Sequence, residues 1–203
     1  MSNVMTVLLA AALVVGLAGS AVAQQTGTFT DGRDGQTYKT VKIGKQTWMA
    51  QNLNYKADSS WCYDNNADNC DKYGRLYDGW TAKKVCPGGW KLPSNQEWES
   101  LLTTVGGRKT AGKKLKSKSR WNENKGMNGN GTDDFGFSAL PGGGRASDGS
   151  FYHTGNDGYW WTATERWDYY AYRRYMYYAY DSVGEDDNLK SFGFSIRCVA
   201  DRP

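Results

Sequence analysis

Gly158-Tyr159-Trp160-Trp161-Thr162-Ala163-Thr164-Glu165 and Gly193-Phe194-Ser195-Ile196-Arg197-Cys198-Val199 are two apolar blocks rich in strand-forming residues. Aromatic and β-branched side chains suit a pleated, half-buried surface. In a strand, Trp160 and Trp161 point to opposite faces, so one is expected in the core and the other free to reach the surface. Between the blocks the chain is crowded with tyrosine from Tyr169 to Tyr180, then rich in Asp, Asn and Ser. Tyrosine gives large amphipathic contact area at low rotamer cost, and the small polar residues give adaptable hydrogen bonds. That is the composition of a recognition surface, and the candidate ligand-binding residues are Trp167, Tyr169, Tyr170, Tyr172, Tyr177, Tyr178 and Tyr180. Part of the run must be core, with Met176 and either Tyr175 or Tyr172 facing inward. The remaining tyrosines exceed what a core of this size requires, and an exposed aromatic patch marks an interaction site.

Upstream, Tyr38 to Ile43 alternates apolar and polar, Gly44-Lys45 supplies a turn, and Gln46 to Leu53 resumes with Trp48 and Leu53. This predicts a β-hairpin. Ser94-Asn95-Gln96-Glu97 is a capping box, followed by Trp98, Leu101, Leu102 and Val105 at helical spacing and by Gly106-Gly107 as a stop. A second short helix is predicted near Ala111 to Ser117, with Leu115 as its anchor. Trp121 to Gly136 is Asn/Gly/Asp-rich and predicts a long loop. Short strands are then expected around Phe137 to Leu140, Gly149 to Tyr152, Tyr159 to Thr164, Ala171 to Met176 and Phe192 to Val199. Early hairpin, central helix, long loop and antiparallel strands give an α+β class, loop-rich, with one or two helices.

Residues 1–23 carry no charged side chain and place an apolar core, Val7 to Leu17, before Ala21-Val22-Ala23, the pattern of a cleaved signal peptide. Export to the exterior of the cell is therefore expected, with no membrane span after cleavage. Residues 24–33 read as a polar lead, and residues 34–203 as one domain. Nine Trp and fourteen Tyr supply ample burial despite the low mean hydropathy. In an oxidising compartment the four cysteines should form disulfides, for which three pairings exist. Cys62 and Cys70 flank a polar loop, Asp64 to Asn69, and closing it on themselves leaves Cys86 to pair with Cys198.

The net charge of +4 is unevenly spread. Arg108, Lys109, Lys113, Lys114, Lys116, Lys118, Arg120 and Lys125 cluster, which reads as a solvated helical face. Asp181, Glu185, Asp186 and Asp187 form an acidic patch. An exported domain of such small net charge is no nucleic-acid binder. The only histidine, His153, reads as an ordinary loop residue, and no Gly-x-Ser-x-Gly elbow accompanies it. Glu97 is explained by its cap and Glu165 closes a strand, so no carboxylate pair for glycoside hydrolysis stands out. The reading is a non-enzyme without a cofactor. A zinc site is the weaker metal reading, because no Cys-x-x-Cys pair exists and His153 is the only histidine. For calcium, an EF-hand at Asp64, Asn66 and Asp68 fails because Asn69 and Arg75 occupy the glycine and glutamate positions. Asn130, Asp133 and Asp134 remain as oxygen donors on an irregular loop.

Trp48-Met49-Ala50-Gln51-Asn52-Leu53-Asn54, Tyr73-Gly74-Arg75-Leu76-Tyr77 and Cys86-Pro87-Gly88-Gly89-Trp90-Lys91-Leu92-Pro93 occur in that order. They are followed by Asp134-Phe135-Gly136-Phe137-Ser138-Ala139-Leu140-Pro141-Gly142-Gly143, Trp160 to Glu165, and Gly193 to Cys198. Together these blocks resemble the Fibrobacter succinogenes major paralogous domain. The resemblance implies an exported bacterial protein with a C-type-lectin-like fold akin to the formylglycine-generating-enzyme group. It supplies no catalytic residues. Glu-Pro-Asn, Gln-Pro-Asp and Trp-Asn-Asp, the calcium and sugar motifs of lectins with that fold, do not occur here. Some proteins of this broad fold are diversified by retroelements, and Trp167 to Asn188 would suit such a variable surface. The expected function is recognition or adhesion toward a protein or glycan at the cell exterior. The alternative is a structural subunit of an extracellular assembly, in which the aromatic surface contacts further copies of the chain.

Overall fold

The computed structural model describes residues 24–201; the expected signal peptide, 1–23, lies outside them. Among the described residues no helix is long and apolar enough to cross a membrane. The chain opens with β1 (Thr26–Thr30), β2 (Thr37–Ile43) and β3 (Gln46–Met49). The β2–β3 hairpin turns at Gly44, whose φ of +60° a side chain would oppose. Val41, Ile43 and Trp48 face one apolar cluster, while Tyr38 and Met49 face the other. Residues 24–33 are not a lead outside the fold. Thr26 to Thr30 pair antiparallel with Val41 to Thr37, and an edge strand with little to bury can be built from threonine and glycine, which hides it from hydrophobic periodicity.

Next come β4 (Ser60–Trp61), α1 (Ala67–Tyr73), β5 (Leu76–Tyr77) and α2 (Gly79–Ala82). The span read as a polar loop is thus largely helical. Asn66 caps it by accepting from Asp68 N at 3.0 Å, and the Cys62–Cys70 disulfide ties it back. After β6 (Trp90–Lys91), α3 (Asn95–Thr104) begins at the expected capping box: Ser94 Oγ accepts from Glu97 N at 3.2 Å, and Glu97 Oε2 accepts from Ser94 N at 2.9 Å. α4 (Arg108–Leu115) starts and stops earlier than expected. It buries Ala111 and Leu115, and Gly112 lies so close to the 181–182 backbone that a Cβ would meet Ser182 O at 2.6 Å.

The C-terminal half holds β7 (Gly144–Arg145), β8 (Phe151–Tyr152), β9 (Asp157–Trp167), β10 (Tyr170–Tyr177), β11 (Gly184–Leu189) and β12 (Val199–Ala200). One sheet has the order β1-β2-β3-β12-β6, and a second the order β11-β10-β9. β4–β5 and β7–β8 are separate two-stranded pairs. The class is mixed α and β, with small antiparallel sheets and few helices. Phe137 to Leu140 is no strand, contributing only an isolated bridge from Ala139 to Lys116.

Gly193 to Val199 is regular strand only at its end, because its backbone serves several neighbours in succession. Gly193 pairs with Arg145 and Phe194 with Tyr77; Ser195 O accepts from Trp161 N, Ile196 O from Leu53 N, and Cys198 O from Met49 N. This block is the seam joining the two halves, and Cys86–Cys198 fastens its end while Cys62–Cys70 closes the earlier loop, the pairing expected.

Trp160 and Trp161 of β9 are both fully buried, so neither reaches the surface. Trp160 lies in one apolar cluster with Trp48, Trp98, Phe137 and Met176, covered by α3. Trp161 lies in the other with Tyr77, Phe194 and Ile196. Burial on both faces requires their indole N–H groups to be satisfied. Trp160 Nε1 donates to Asn52 Oδ1 at 2.9 Å and Trp161 Nε1 to Tyr77 O at 2.8 Å.

Candidate recognition surface

The root of the β9–β10 hairpin is held by charge. Arg174 is fully buried and its guanidinium lies between Glu99 of α3, at 2.7 Å, and Glu185 of β11. Arg108 reaches the same two carboxylates, at 2.5 and 3.7 Å. Burial alone would raise Glu99, but the hydrogen bond from Arg108 and the fields of Arg174 and Arg108 hold its pKa below the usual carboxylate value. Arg166 pairs with Asp187 and Arg173 with Asp186, so the acidic run of β11 neutralises arginines of β9 and β10. What reads in sequence as a free acidic patch is an edge strand stitched on by ion pairs. The basic cluster is mostly the solvated face expected, except that Lys116 is buried.

Above this root the seven candidate aromatic residues divide. Trp167 and Tyr169 stand at the hairpin tip, 61% and 67% exposed, with half-buried Tyr170 packed edge-on to Trp167 at 5.7 Å. Arg166 lies over the Trp167 ring at 4.4 Å. Tyr172 is half-buried on β10. Tyr177 belongs to a row at the other end of the strand, with ring centroids 4.9 Å from Tyr175 and 6.1 Å from Tyr180, which is 62% exposed. Tyr178 turns the other way, against the Trp160 cluster. Met176 faces inward as expected.

Residue types absent from the sequence-derived set complete the row. Tyr175 is half-buried in it, its ring lying where a Cβ on Gly184 would stand. Arg173 sits under the row, its guanidinium 4.5 Å from the Tyr159 ring, 5.2 Å from Phe194 and 5.4 Å from Tyr175. The two-residue spacing of 173, 175 and 177 carried that signal, since alternate strand residues share a face.

A polar cluster borders the row. His153 Nδ1 lies 2.5 Å from Asp157 Oδ2, and Tyr159 OH donates to the same oxygen at 2.7 Å. His153 is a loop residue held by this contact, with a φ of +65°, a region in which His is among the enriched non-glycine types. Burial raises the pKa of Asp157 against the opposing pull of Tyr159 and His153.

The model for the Fibrobacter succinogenes major domain matches residues 41–200. The chain belongs to that family. Comparison with curated proteins and with solved structures finds no match. In this Fibrobacter succinogenes major domain the matched span takes in both larger sheets apart from β1 and the first four residues of β2, both disulfides and the whole aromatic surface.

The calcium candidates have other partners. Asn130 Oδ1 accepts from Trp121 N at 2.9 Å, while Asp133 accepts from Ser138 N at 2.8 Å and Ser138 Oγ at 2.6 Å. Asp134 is exposed. The order of this loop is accounted for without an ion, and among the described residues no group of three or more His, Cys, Asp or Glu side chains is placed to hold a metal.

Proposed function

We propose that the chain is an exported, non-enzymatic recognition or adhesion domain that binds a protein or glycan through the aromatic surface of the β9–β10 hairpin and the following turn. One observation carries this reading: Trp167 and Tyr169 at the tip of the β9–β10 hairpin, and Tyr180 in the turn beyond the other end of β10, are each more than 60% exposed, while Arg174 between them is buried and ion-paired. Large rings held in water by a rigid frame lose little entropy when a partner covers them. The architecture is read as C-type-lectin-like and akin to the formylglycine-generating-enzyme group. Supporting this are the first and last strands brought into one sheet and a second small sheet bearing the surface. The reactive cysteine chemistry of that enzyme group has no counterpart here, since all four cysteines are joined in disulfides.

The test is a binding screen of the full chain against glycans and bacterial surface proteins, with and without chelator, beside a Trp167→Ala/Tyr169→Ala/Tyr180→Ala variant. Binding is expected to vanish in the variant while its thermal midpoint stays within a few degrees. A partner that the variant holds as tightly as the parent would refute the surface assignment. Loss of binding in chelator would return Asn130, Asp133 and Asp134 to consideration as calcium ligands.

A second reading, a subunit of an extracellular assembly, is favoured by β1. It is an edge strand of five residues, Thr-Gly-Thr-Phe-Thr, without the lysine or proline that commonly blunts edges. Concentration-dependent polymers in light scattering would favour it, and a monomer at all concentrations would exclude it.

A further inference from the structure

A cavity of about 340 Å³ opens between the end of α4, the loop 124–130 and the turn 178–181. That volume is at the lower end of the roughly 300–1,000 Å³ typical of small-ligand sites. Its rim carries the two most exposed apolar surfaces of this region, Tyr180 at 62% and Met127 at 63%. Its polar lining comes from Asn124, Asn128 and Asp181.

The walls are built and held. Asn124 and Met127 exchange two backbone hydrogen bonds, at 2.8 and 2.9 Å, closing a tight turn in which Lys125 and Gly126 both have positive φ. Asn128 Oδ1 accepts from Asn130 N at 2.9 Å, which fixes that side chain by its oxygen and leaves its amide N–H₂ to donate. Gly129 is packed on two sides: a Cβ there would clash with Asn122 O and crowd Tyr178 Cβ and Tyr178 O of the opposite wall at 3.1 Å. The floor is the Lys116 ammonium, which donates to the carbonyls of Tyr177, Tyr178 and Tyr180 at 3.1, 3.4 and 3.1 Å.

The charge balance decides what such a cavity accepts. Both cations in its walls are consumed by backbone oxygens, Lys116 as described and Lys113 by Asn130 O at 3.0 Å. Asp181 adds a negative charge at the turn. An anionic ligand would meet a carboxylate and no free ammonium within the lining, since Lys125 of the same turn is exposed and lies outside it. What the walls offer instead is mixed: amides that donate and accept, a carboxylate that accepts, phenol hydroxyls that do both, and the face of an exposed ring. Sugar hydroxyls donate and accept at once, and the C–H face of a pyranose lies flat on an aromatic ring. We infer that this cavity is a binding site for one pyranose unit of a neutral oligosaccharide, with Tyr180 as the stacking ring and Asn128 as a hydroxyl-binding amide.

This rests on the recognition reading and assigns it a ligand class and a place. The experiment is NMR titration of the isotope-labelled full chain with xylotetraose, cellotetraose and chitotetraose, with trigalacturonate as the acidic comparison. A saturable response of the Asn124–Asn130 and Ala179–Asp181 amides to a neutral saccharide is expected, with trigalacturonate weaker. Tyr180→Ala should weaken it about tenfold, as the loss of one aromatic contact implies. Asn128→Ala should weaken it as well, and Lys56→Ala, at an exposed residue outside the cavity, should leave it unchanged. Response to trigalacturonate alone, or undiminished binding in Tyr180→Ala, overturns the assignment. So does silence of these amides toward all four saccharides. If that silence accompanies a screened partner that Trp167→Ala/Tyr169→Ala abolishes, only the pocket assignment falls; if the screen is also empty, the recognition reading falls with it.

Discussion

Asn52 Oδ1 lies 2.8 Å from Arg197 Nη2 and 3.1 Å from Nε, so one amide oxygen receives two donors of a fully buried guanidinium. The same oxygen accepts from Trp160 Nε1, and Asn52 Nδ2 donates to Tyr73 O at 2.8 Å. The remaining Arg197 partners are the carbonyls of Met49, Phe137 and Ser138. A charge dissolved in neutral oxygens needs every one of them, because removing a partner exposes the full desolvation penalty. Asn52→Leu is therefore expected to cost about 3 kcal/mol or more. Urea unfolding followed by tryptophan fluorescence checks this, and a loss below about 1 kcal/mol would show that the cage tolerates a vacancy.

The two disulfides should differ in worth. Cys62–Cys70 closes a separation of 8 residues and Cys86–Cys198 one of 112. In the chain-entropy model the shorter loop contributes about 2.5 kcal/mol and the longer about 4.8 kcal/mol. Replacing each pair by serine should rank the thermal midpoints accordingly, the Cys86/Cys198 variant lower. The reverse order would mean that α1, rather than the seam, depends more on its bridge.

What was legible in the sequence was local, apart from the Cys86–Cys198 pairing, reached by elimination once Cys62 and Cys70 closed their own loop. The Ser94–Glu97 cap, the hairpin around Gly44 and the Cys62–Cys70 closure each depend on residues a few positions apart. β1 and β11 were not legible, because each draws its strand character from a partner. Thr26 to Thr30 has little apolar face of its own, and Gly184-Glu185-Asp186-Asp187 is poor strand material until Arg173 and Arg174 stand opposite. The candidate surface was legible as composition and not as geometry. Which tyrosines remain in water depends on what covers each face of β10, and covering residues such as Phe194 and Trp98 lie far in sequence from the residues they bury.

Lys116 gives a pH dependence with a definite sign. Burial pushes its pKa from 10.5 down to about 8, with Asp181 pulling it back up and Lys113 adding to the fall. Between those values the unfolded chain holds a proton the folded chain has released, so stability climbs as pH rises. Above pH 10 the buried phenols of Tyr38 and Tyr152, each pushed up to about 12, act in the opposite sense. The window to examine is thus about pH 8 to 10. Urea midpoints should rise across it in the parent relative to Lys116→Met, and parallel profiles would remove Lys116 as the cause.

The aromatic residues of β9 and its tip should separate cleanly by stability. Trp167 and Tyr169 are exposed on a tip whose ordering is set at Arg174 and Glu185 below them. Truncating either to Ala should change stability by no more than about 0.5 kcal/mol. Trp160 and Trp161, seven and six residues before Trp167, are fully buried on opposite faces, each with its indole N–H bonded. Ala at either should cost about 3–5 kcal/mol, since a large cavity opens and Asn52 or Tyr77 O loses a donor. Denaturant midpoints of the four single variants decide the matter. A tip variant that falls with the buried pair would show that Trp167 or Tyr169 supports the sheet, and would disqualify that residue as a freely presented contact.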